Sequence, residues 1–219
     1  GFSMDARYKG ATLGFVDVNE QALDLVKKFA VRVSDELHMD WKIEASTERR
    51  EVLGGADLVT TAIGVGGLNA WQLDISIPEK YGYIQPVGDT SGPGGLARAL
   101  RHIPVLVGIA RDMEDCCPNA VLFNFTNPLT VITQAVNRLT SIRCIGLCIG
   151  VDLTWNHLCR VIGADKSRTQ IVAGGINHCH WILDFRLDGQ DAFPLLSAKL
   201  DEMDGDTRRI ERLRGIYKD

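Results

Sequence analysis

The sequence contains no apolar run near the roughly 20 residues that a bilayer-spanning helix needs. Its first residues show no basic-then-apolar leader pattern, so no membrane partner is expected. Basic residues do not dominate. There are 24 Lys and Arg against 28 Asp and Glu, a formal net charge of −4. Clustered cations facing nucleic-acid phosphates are therefore not expected either. Six cysteines in 219 residues are too few for a disulfide scaffold. With no export pattern, the expected compartment is the reducing cytoplasm. There is no internal repeat and no low-complexity segment. A content of 45% hydrophobic and 24% charged residues excludes disorder, collagen-like repeats and coiled coil. What is over-represented is glycine, 22 residues or about 10% against a usual share of about 7%, and it gathers in a few loops.

Apolar periodicity divides the chain into alternating strands and helices. Residues 11–17 (ATLGFVD) read as a buried strand. Asn19 is suited to cap a helix over residues 19–38, where Ala22, Val26, Phe29, Ala30, Val33 and Leu37 recur at helical spacing. Further strands are expected at residues 41–45, 57–63, 120–125 and 143–147. Short or long helices are expected at 47–53, 96–116, 128–139 and 151–162. Pro104 predicts a kink or restart inside the long helix, and residues 69–95 read as irregular. This alternation implies an α/β protein with a doubly wound, Rossmann-like parallel sheet. After about residue 165 the texture changes to strands at 169–173 and 180–187, then a helix from Phe193. Asp188-Gly189 is a turn signal without an evident hairpin partner. The expected division is a dinucleotide-binding unit over residues 1–165 and the start of an α+β substrate or oligomerisation domain over 166–219.

Ligands of such sheets sit beyond the carboxyl ends of the strands, and the chemically interesting residues fall there. Asp17 ends a strand, where an acid can bond the ribose hydroxyls of a dinucleotide or simply cap the next helix. The G-x-G-x-x-G turn that usually lies about 20 residues earlier is absent from the 16 residues before Asp17. The loop GDTSGPGG, residues 88–95, opens a helix. Its amides suit an anion or polar ligand, or it is a connector with turn glycines. Asn127-Pro128, in NFTNPLT, is either a helix cap with a first-turn proline or a donor to a sugar or cofactor. Cys148 (IGLCIG) and His178 (GGINHCHW) can share one divalent metal, or they are a small buried hydrophobe and an unrelated imidazole. His180 is a supporting or core imidazole, and Cys116, Cys117, Cys144, Cys159 and Cys179 read as structural. Tyr217 reads as a helix-face aromatic.

An ordered set of segments carries a resemblance: ATLGFVDVNEQAL, GADLVTTAIGVGG, IPEKYGYIQPVGDTSGPGGLARALRHIPVLVGIARDME, CPNAVLFNFTNPLTVITQAV, IGLCIGV and GGINHCHWILDF. Over residues 11–187 it is similar to the family 4 glycoside hydrolases, NAD- and divalent-metal-dependent glycosidases acting on α-galactosides, α-glucosides, α-glucuronides, α-galacturonides and 6-phospho-glycosides. The resemblance implies a hydrolase that oxidises the sugar C3 hydroxyl with NAD+, removes the acidified C2 proton beside a metal, eliminates the C1 leaving group and adds water. That route is a known exception to the usual carboxylate pair. It implies NAD and Mn2+, or another divalent metal, as cofactors. It implies a small-molecule hexoside or hexuronide as substrate, and a homodimer or homotetramer. Position by position, Cys148 and His178 become metal ligands, and Asn127 becomes a contact to the sugar near the metal and to the cofactor. Asp17 becomes the ribose-binding acid, and the loop bearing Thr61, Ile63, Gly64 and Gly66 lies along the dinucleotide. Tyr217 becomes a candidate base. Ile149 stands where family members often carry His, Asn or Asp, so the general acid is unassigned. The family's glycine-rich first strand and about half of its usual length are not matched. A lactate/malate-type 2-hydroxyacid dehydrogenase and a non-catalytic nucleotide-binding module are the alternatives.

Overall fold

The computed structural model describes residues 6–85 and 87–202. Strand β1 (Thr12–Val16) leads into helix α1 (Glu20–Glu36) and back to β2 (Lys42–Ser46). The two strands pair in parallel from Thr12↔Lys42 to Val16↔Ser46. Asn19 caps α1 as its position demands, its Oδ1 accepting the Gln21 and Ala22 amides at 3.0 and 3.1 Å. The short helix α2 (Arg50–Leu53) precedes β3 (Leu58–Thr61). Two helices follow, α3 (Gly67–Glu79) and α4 (Gly92–Cys116). Strand β4 (Val121–Asn124), helix α5 (Leu129–Leu139) and strand β5 (Cys144–Gly146) complete a second parallel ladder, ordered β3-β4-β5.

The two ladders are the two wings of a doubly wound sheet. In a sheet of order 3-2-1-4-5-6, β2 and β1 take places three and two, and β3 to β5 take places four to six. No described strand pairs with the free edge of β1 or of β3, where place one lies. Gly14 in β1 brings the strand against α2: a Cβ there would stand 2.1 Å from Val52 Cγ1.

The main core joins α4 and α5 to β4, with Leu106, Leu122, Ile132 and Val136 fully enclosed. Helix α2 is tied to α4 by Arg49 and Arg50, which both bond Asp112, with Arg50 also 2.9 Å from Asp115. Burial pushes the Asp112 carboxyl up, but the hydrogen bonds from Arg49 and Arg50 outweigh it and hold it below the ordinary Asp value. A carboxylate depressed in the folded state adds stability above its unfolded value near 3.9 and loses it as pH falls further. Asp112→Asn is therefore expected to cost roughly 1 kcal/mol at pH 7, since both arginines are partly exposed and screened. Urea unfolding of both proteins at pH 7 and pH 3 should show the difference shrinking in acid. A difference that persists at pH 3 contradicts the charge-based account.

A second core lies further along the chain. Helix α6 (Gly150–Ile162) is followed by an antiparallel sheet, β6 (Thr169–Ile176), β7 (Cys179–Leu187) and β8 (Gln190–Asp191), and by α7 (Phe193–Glu202). Leu158 and Ile162 of α6 pack with Phe185, Ala192 and Leu196. Phe185 meets Phe193 edge-on, with centroids 6.2 Å apart.

Four sequence expectations are corrected. Residues 69–79, expected to be irregular, lie in α3. Its apolar residues Leu68, Leu73 and Ile77 face outward while Asp74 faces inward, so no buried apolar stripe announced the helix. Of the kink or restart expected at Pro104, the restart does not occur: helix α4 is continuous from Gly92 to Cys116. Asp188-Gly189 does turn a hairpin, β7 to β8, through the pairs Arg186↔Asp191 and Leu187↔Gln190. Asn127 does not cap α5: that place falls to Pro128, and no side chain caps the helix.

Candidate active site

The carboxyl ends of β3 and β4 are locked together by a buried polar network. Thr61 Oγ1 donates to Asn124 Oδ1 at 3.0 Å, and the same oxygen accepts Thr126 N–H at 2.9 Å. Asn124 Nδ2 donates to the Thr126 carbonyl at 3.1 Å. Such a network suits side chains denied water, because each lost partner leaves a buried polar group uncompensated. Thr61 is thus buried against Asn124, whereas Ile63 and Gly64 stand in the loop beyond β3. Ile63 N–H donates to Thr126 Oγ1 at 3.0 Å and Val65 N–H to His102 Nε2 at 3.0 Å. Gly66, with φ of 81°, adopts the left-handed turn that starts α3. Asp17 stands exposed at the carboxyl end of β1, its Oδ1 accepting the Asn19 amide at 2.8 Å.

A cleft of about 350 Å³ opens between the end of β5, the head of α6 and the β6–β7 hairpin. Cys148, His178, His180 and Asn177 all line it. Cys148 is exposed in the loop after β5, and its Sγ accepts the Gly150 amide at 3.4 Å. A Cβ on Gly150 would lie 3.6 Å from Cys148 Sγ and 3.8 Å from His180 Cε1, so glycine keeps the space between them open. His178 occupies the hairpin tip with φ of 61°, a left-handed conformation that His adopts more readily than most residues other than glycine. His180 faces Thr154 instead, with Nε2 3.2 Å from its hydroxyl.

A hydrogen-bond relay joins this hairpin to the strand ends. Asn127 Nδ2 donates to Asp89 Oδ2 at 2.9 Å, and Thr90 Oγ1 donates to Asp89 Oδ1 at 2.7 Å. Thr90 Oγ1 also lies 3.1 Å from His178 Nδ1. A hydroxyl has one proton to give. With Thr90 donating to Asp89, His178 Nδ1 carries the proton that Thr90 accepts, and in the neutral ring Nε2 then holds the lone pair. That is the tautomer a metal-ligating imidazole needs.

The donor set fits a divalent cation. A thiol sulfur and an imidazole line one cleft, and beside them Asn177 Oδ1 is buried without a hydrogen-bond partner. Among the described residues no three His, Cys, Asp or Glu side chains gather around one point. The protein thus offers one soft sulfur donor and one borderline imidazole donor, and leaves other positions open for oxygen ligands.

The structure brings Cys148 and His178 to one cleft and links Asn127 to His178 through Asp89 and Thr90. It leaves Asp17 on the other wing of the sheet. Tyr217 lies outside the described residues. Sequence reading missed Asp89, Thr90, Asn177 and His102. For Asp89 and Thr90 the available signal was two polar side chains set among glycines in GDTSGPGG. Of the two readings left open for that loop, an anion or polar-ligand site or a connector with turn glycines, the surroundings of Gly94 bear on its packing. Gly94 N–H donates to Gln85 Oε1 at 3.2 Å, and a Cβ there would meet the Asp74 and Gly88 carbonyls at 2.6 Å. The glycine is required by close packing.

The sequence profile described as Family 4 glycosyl hydrolase matches residues 2–163. The chain belongs to this family. It is 34% identical over 194 residues to an alpha-galactosidase of Bacillus subtilis, covering 88% of this chain and 45% of that protein. It superposes on a 6-phospho-beta glucosidase of Thermotoga maritima, solved with manganese, NAD+ and glucose-6-phosphate. The TM-score is 0.77 at 26% identity, covering 88% of this chain and 45% of that one. The chain therefore spans about half the length of the relatives it matches. A lactate dehydrogenase of Eimeria maxima shares the fold at a TM-score of 0.61 and 15% identity, covering 84% of this chain and 52% of that one. The Rossmann-like parallel architecture expected from the sequence is thus the one this glycosyl hydrolase family has. Among the described residues no helix is long and apolar enough to cross a membrane.

Proposed function

We propose that this chain forms the cofactor- and metal-binding part of a glycosidase that opens its substrate by redox-assisted elimination. The observation that carries the reading is the convergence of Cys148 and His178 on one cleft beside the Asn127–Asp89–Thr90 relay. Residues to about 165 form the dinucleotide-binding unit in this reading, and those from 166 begin the substrate domain. NAD and Mn2+, the groups carried by the Thermotoga relative, are the cofactors it implies. When bound, they supply a hydride acceptor for the sugar C3 carbon and a Lewis acid for the carbonyl left behind.

The chain's own groups have definite tasks. Cys148 and His178 would hold the cation, and Thr90 sets the tautomer of the neutral imidazole by accepting its Nδ1–H. Asn177 Oδ1, buried without a partner, would accept a hydrogen bond from a sugar hydroxyl. Asn127 is oriented by Asp89 through its amide nitrogen, leaving its Oδ1 for a hydroxyl donor on the sugar or cofactor. Asp17 takes the adenosine ribose, and Ile63, Gly64 and Gly66 line the dinucleotide's path over the backbone that Thr61 anchors. Ile149, exposed at the head of α6, has no proton to give, so the acid comes from elsewhere. A cytoplasmic location and a homodimer or homotetramer are part of the same proposal.

The test is hydrolysis of a panel of nitrophenyl hexosides and hexuronides, phosphorylated and not. Cleavage should require NAD+ and Mn2+ together, and deuterium at C2 should slow it several-fold or wash out into solvent. Cleavage without either cofactor removes the elimination route. No cleavage of any sugar, with Mn2+ bound, favours the non-catalytic module that Ile149 suggests. Turnover of 2-hydroxy acids without metal would reinstate the dehydrogenase reading, which the Cys148–His178 pair opposes.

A further inference from the structure

Helix α4 presents one face to two loops at once. Arg98 Nε donates to the Asn127 carbonyl at 3.2 Å. Arg101 grips Asp74 of α3 through two bonds of 2.8 and 2.6 Å and reaches the Val65 carbonyl at 3.5 Å. His102, fully buried, uses both ring nitrogens. Nε2 accepts the Val65 amide at 3.0 Å, and Nδ1 lies 2.8 Å from the Arg98 carbonyl. An amide only donates and a carbonyl only accepts, so both ends demand the same form: neutral imidazole with the proton on Nδ1.

The consequence falls on the loop between β3 and α3. Thr126 takes the Ile63 amide, His102 the Val65 amide, and the Gly64 carbonyl the Gly67 amide at 3.0 Å. Among the described residues the amides of Gly64 and Gly66 have no acceptor. Space is open at Gly64, where a Cβ would meet nothing within 4 Å. At Gly66 a Cβ would stand 2.6 Å from the Ala70 Cβ, so only glycine fits there, and the two uncommitted amides are suited to an approaching polar or anionic group.

We infer that His102 is a positioning residue for a bound dinucleotide. By drawing the Val65 amide inward it holds the loop in the conformation that leaves the Gly64 and Gly66 amides to the cofactor's ribose and phosphate oxygens. The inference rests on the dinucleotide reading above. A histidine that only filled the core would alter stability and nothing else. A positioning histidine also sets nucleotide affinity, and with a characteristic pH profile. Protonation turns Nε2 into a donor facing another donor. Burial opposes that protonation, as do Arg98 and Arg101, while the Arg98 carbonyl and Asp74 favour it, and the net effect holds the ring below the ordinary histidine value. Clamp and affinity therefore survive acidification through about pH 6.5 and fail only below it.

The test compares the full chain with His102→Leu and His102→Gln, since the glutamine Oε1 can stand near the place of Nε2. Hydrogen exchange at the Val65 amide and fluorescence titration with NADH are the readouts. His102→Leu should speed Val65 exchange and weaken NADH binding, each by about tenfold, and His102→Gln should restore both to within about threefold. The glutamine variant should also lose the acid limb of NADH binding. Unchanged Val65 exchange in His102→Leu refutes the clamp, and faster exchange with unchanged NADH affinity reduces His102 to a core residue. A native chain that binds no NADH overturns the dinucleotide reading, and this inference with it, while the exchange result still reports on the loop. Should the leucine variant not fold, the glutamine profile decides alone, and a retained acid limb overturns the proposal.

Discussion

Replacing Cys148 with serine is expected to weaken Mn2+ binding by roughly a hundredfold or more while leaving the thermal midpoint nearly unchanged. Losing a group that merely supports a metal ligand typically costs 10–100-fold in affinity, and Cys148 is placed as a ligand itself. The serine hydroxyl is a poor substitute, because it does not ionise near neutral pH as a metal-bound thiol does. Stability should not follow, since Cys148 is exposed and its contact with the rest of the chain is a 3.4 Å bond from the Gly150 amide. Exposed substitutions of this kind usually stay within about 0.5 kcal/mol. Calorimetric titration with MnCl2 and a melting curve on the same sample separate the two effects. Native affinity in the variant takes Cys148 out of the site. A lowered midpoint with lowered affinity makes its role structural.

The second large effect is expected at Arg101. Its guanidinium is bidentate on Asp74, whose side chain is only 3% exposed. Removing one member of a buried pair strands the other charge, at a typical cost of about 3–5 kcal/mol. That is a large part of the roughly 5–15 kcal/mol holding a domain together. Arg101→Leu should therefore shift the urea midpoint strongly. The double variant Arg101→Leu, Asp74→Leu should recover much of the loss, because apolar replacement of both partners removes the stranded charge. A single variant within about 1 kcal/mol of native means the pair contributes little. A double variant no better than the single one means that the lost packing, and not the charge, dominates. The pair also fastens α3 to α4 and steadies the Val65 loop, so Mn2+ and NADH titrations on the folded single variant should show nucleotide affinity falling more than metal affinity.

Much of the fold was legible because short-range chemistry specified it. The strands around Leu13, Val59, Leu122 and Ile145 announced themselves as apolar runs ending at Asp17, the GVGG loop, Asn124 and Cys148. Asn19 capped its helix because an Asx side chain at that position satisfies amides nothing else reaches. Helix α3 was hidden because its inward face carries Asp74, paired with Arg101, whose partner lies 27 residues away. The β8 strand was hidden because two residues are too few to show a period. Asn127 was ambiguous for the same reason of range. Its local setting is that of a helix cap, and only the arrival of Asp89, 38 residues distant in the chain, turns its amide aside.

The amino-acid order by itself determined the alternation of strands and helices, the family, and the two residues, Cys148 and His178, whose chemistry suits a metal. Tertiary structure decided which of the remaining polar groups join them: Asp89 and Thr90 fix the tautomer of His178, Asn177 lines the cleft with an unpaired oxygen, and His102 holds the Val65 amide. The physical reason is one of range. Periodicity and capping act over about four residues and are written in neighbouring letters. A hydrogen bond between side chains far apart in sequence depends on where the folded backbone carries each of them, and no local pattern records it.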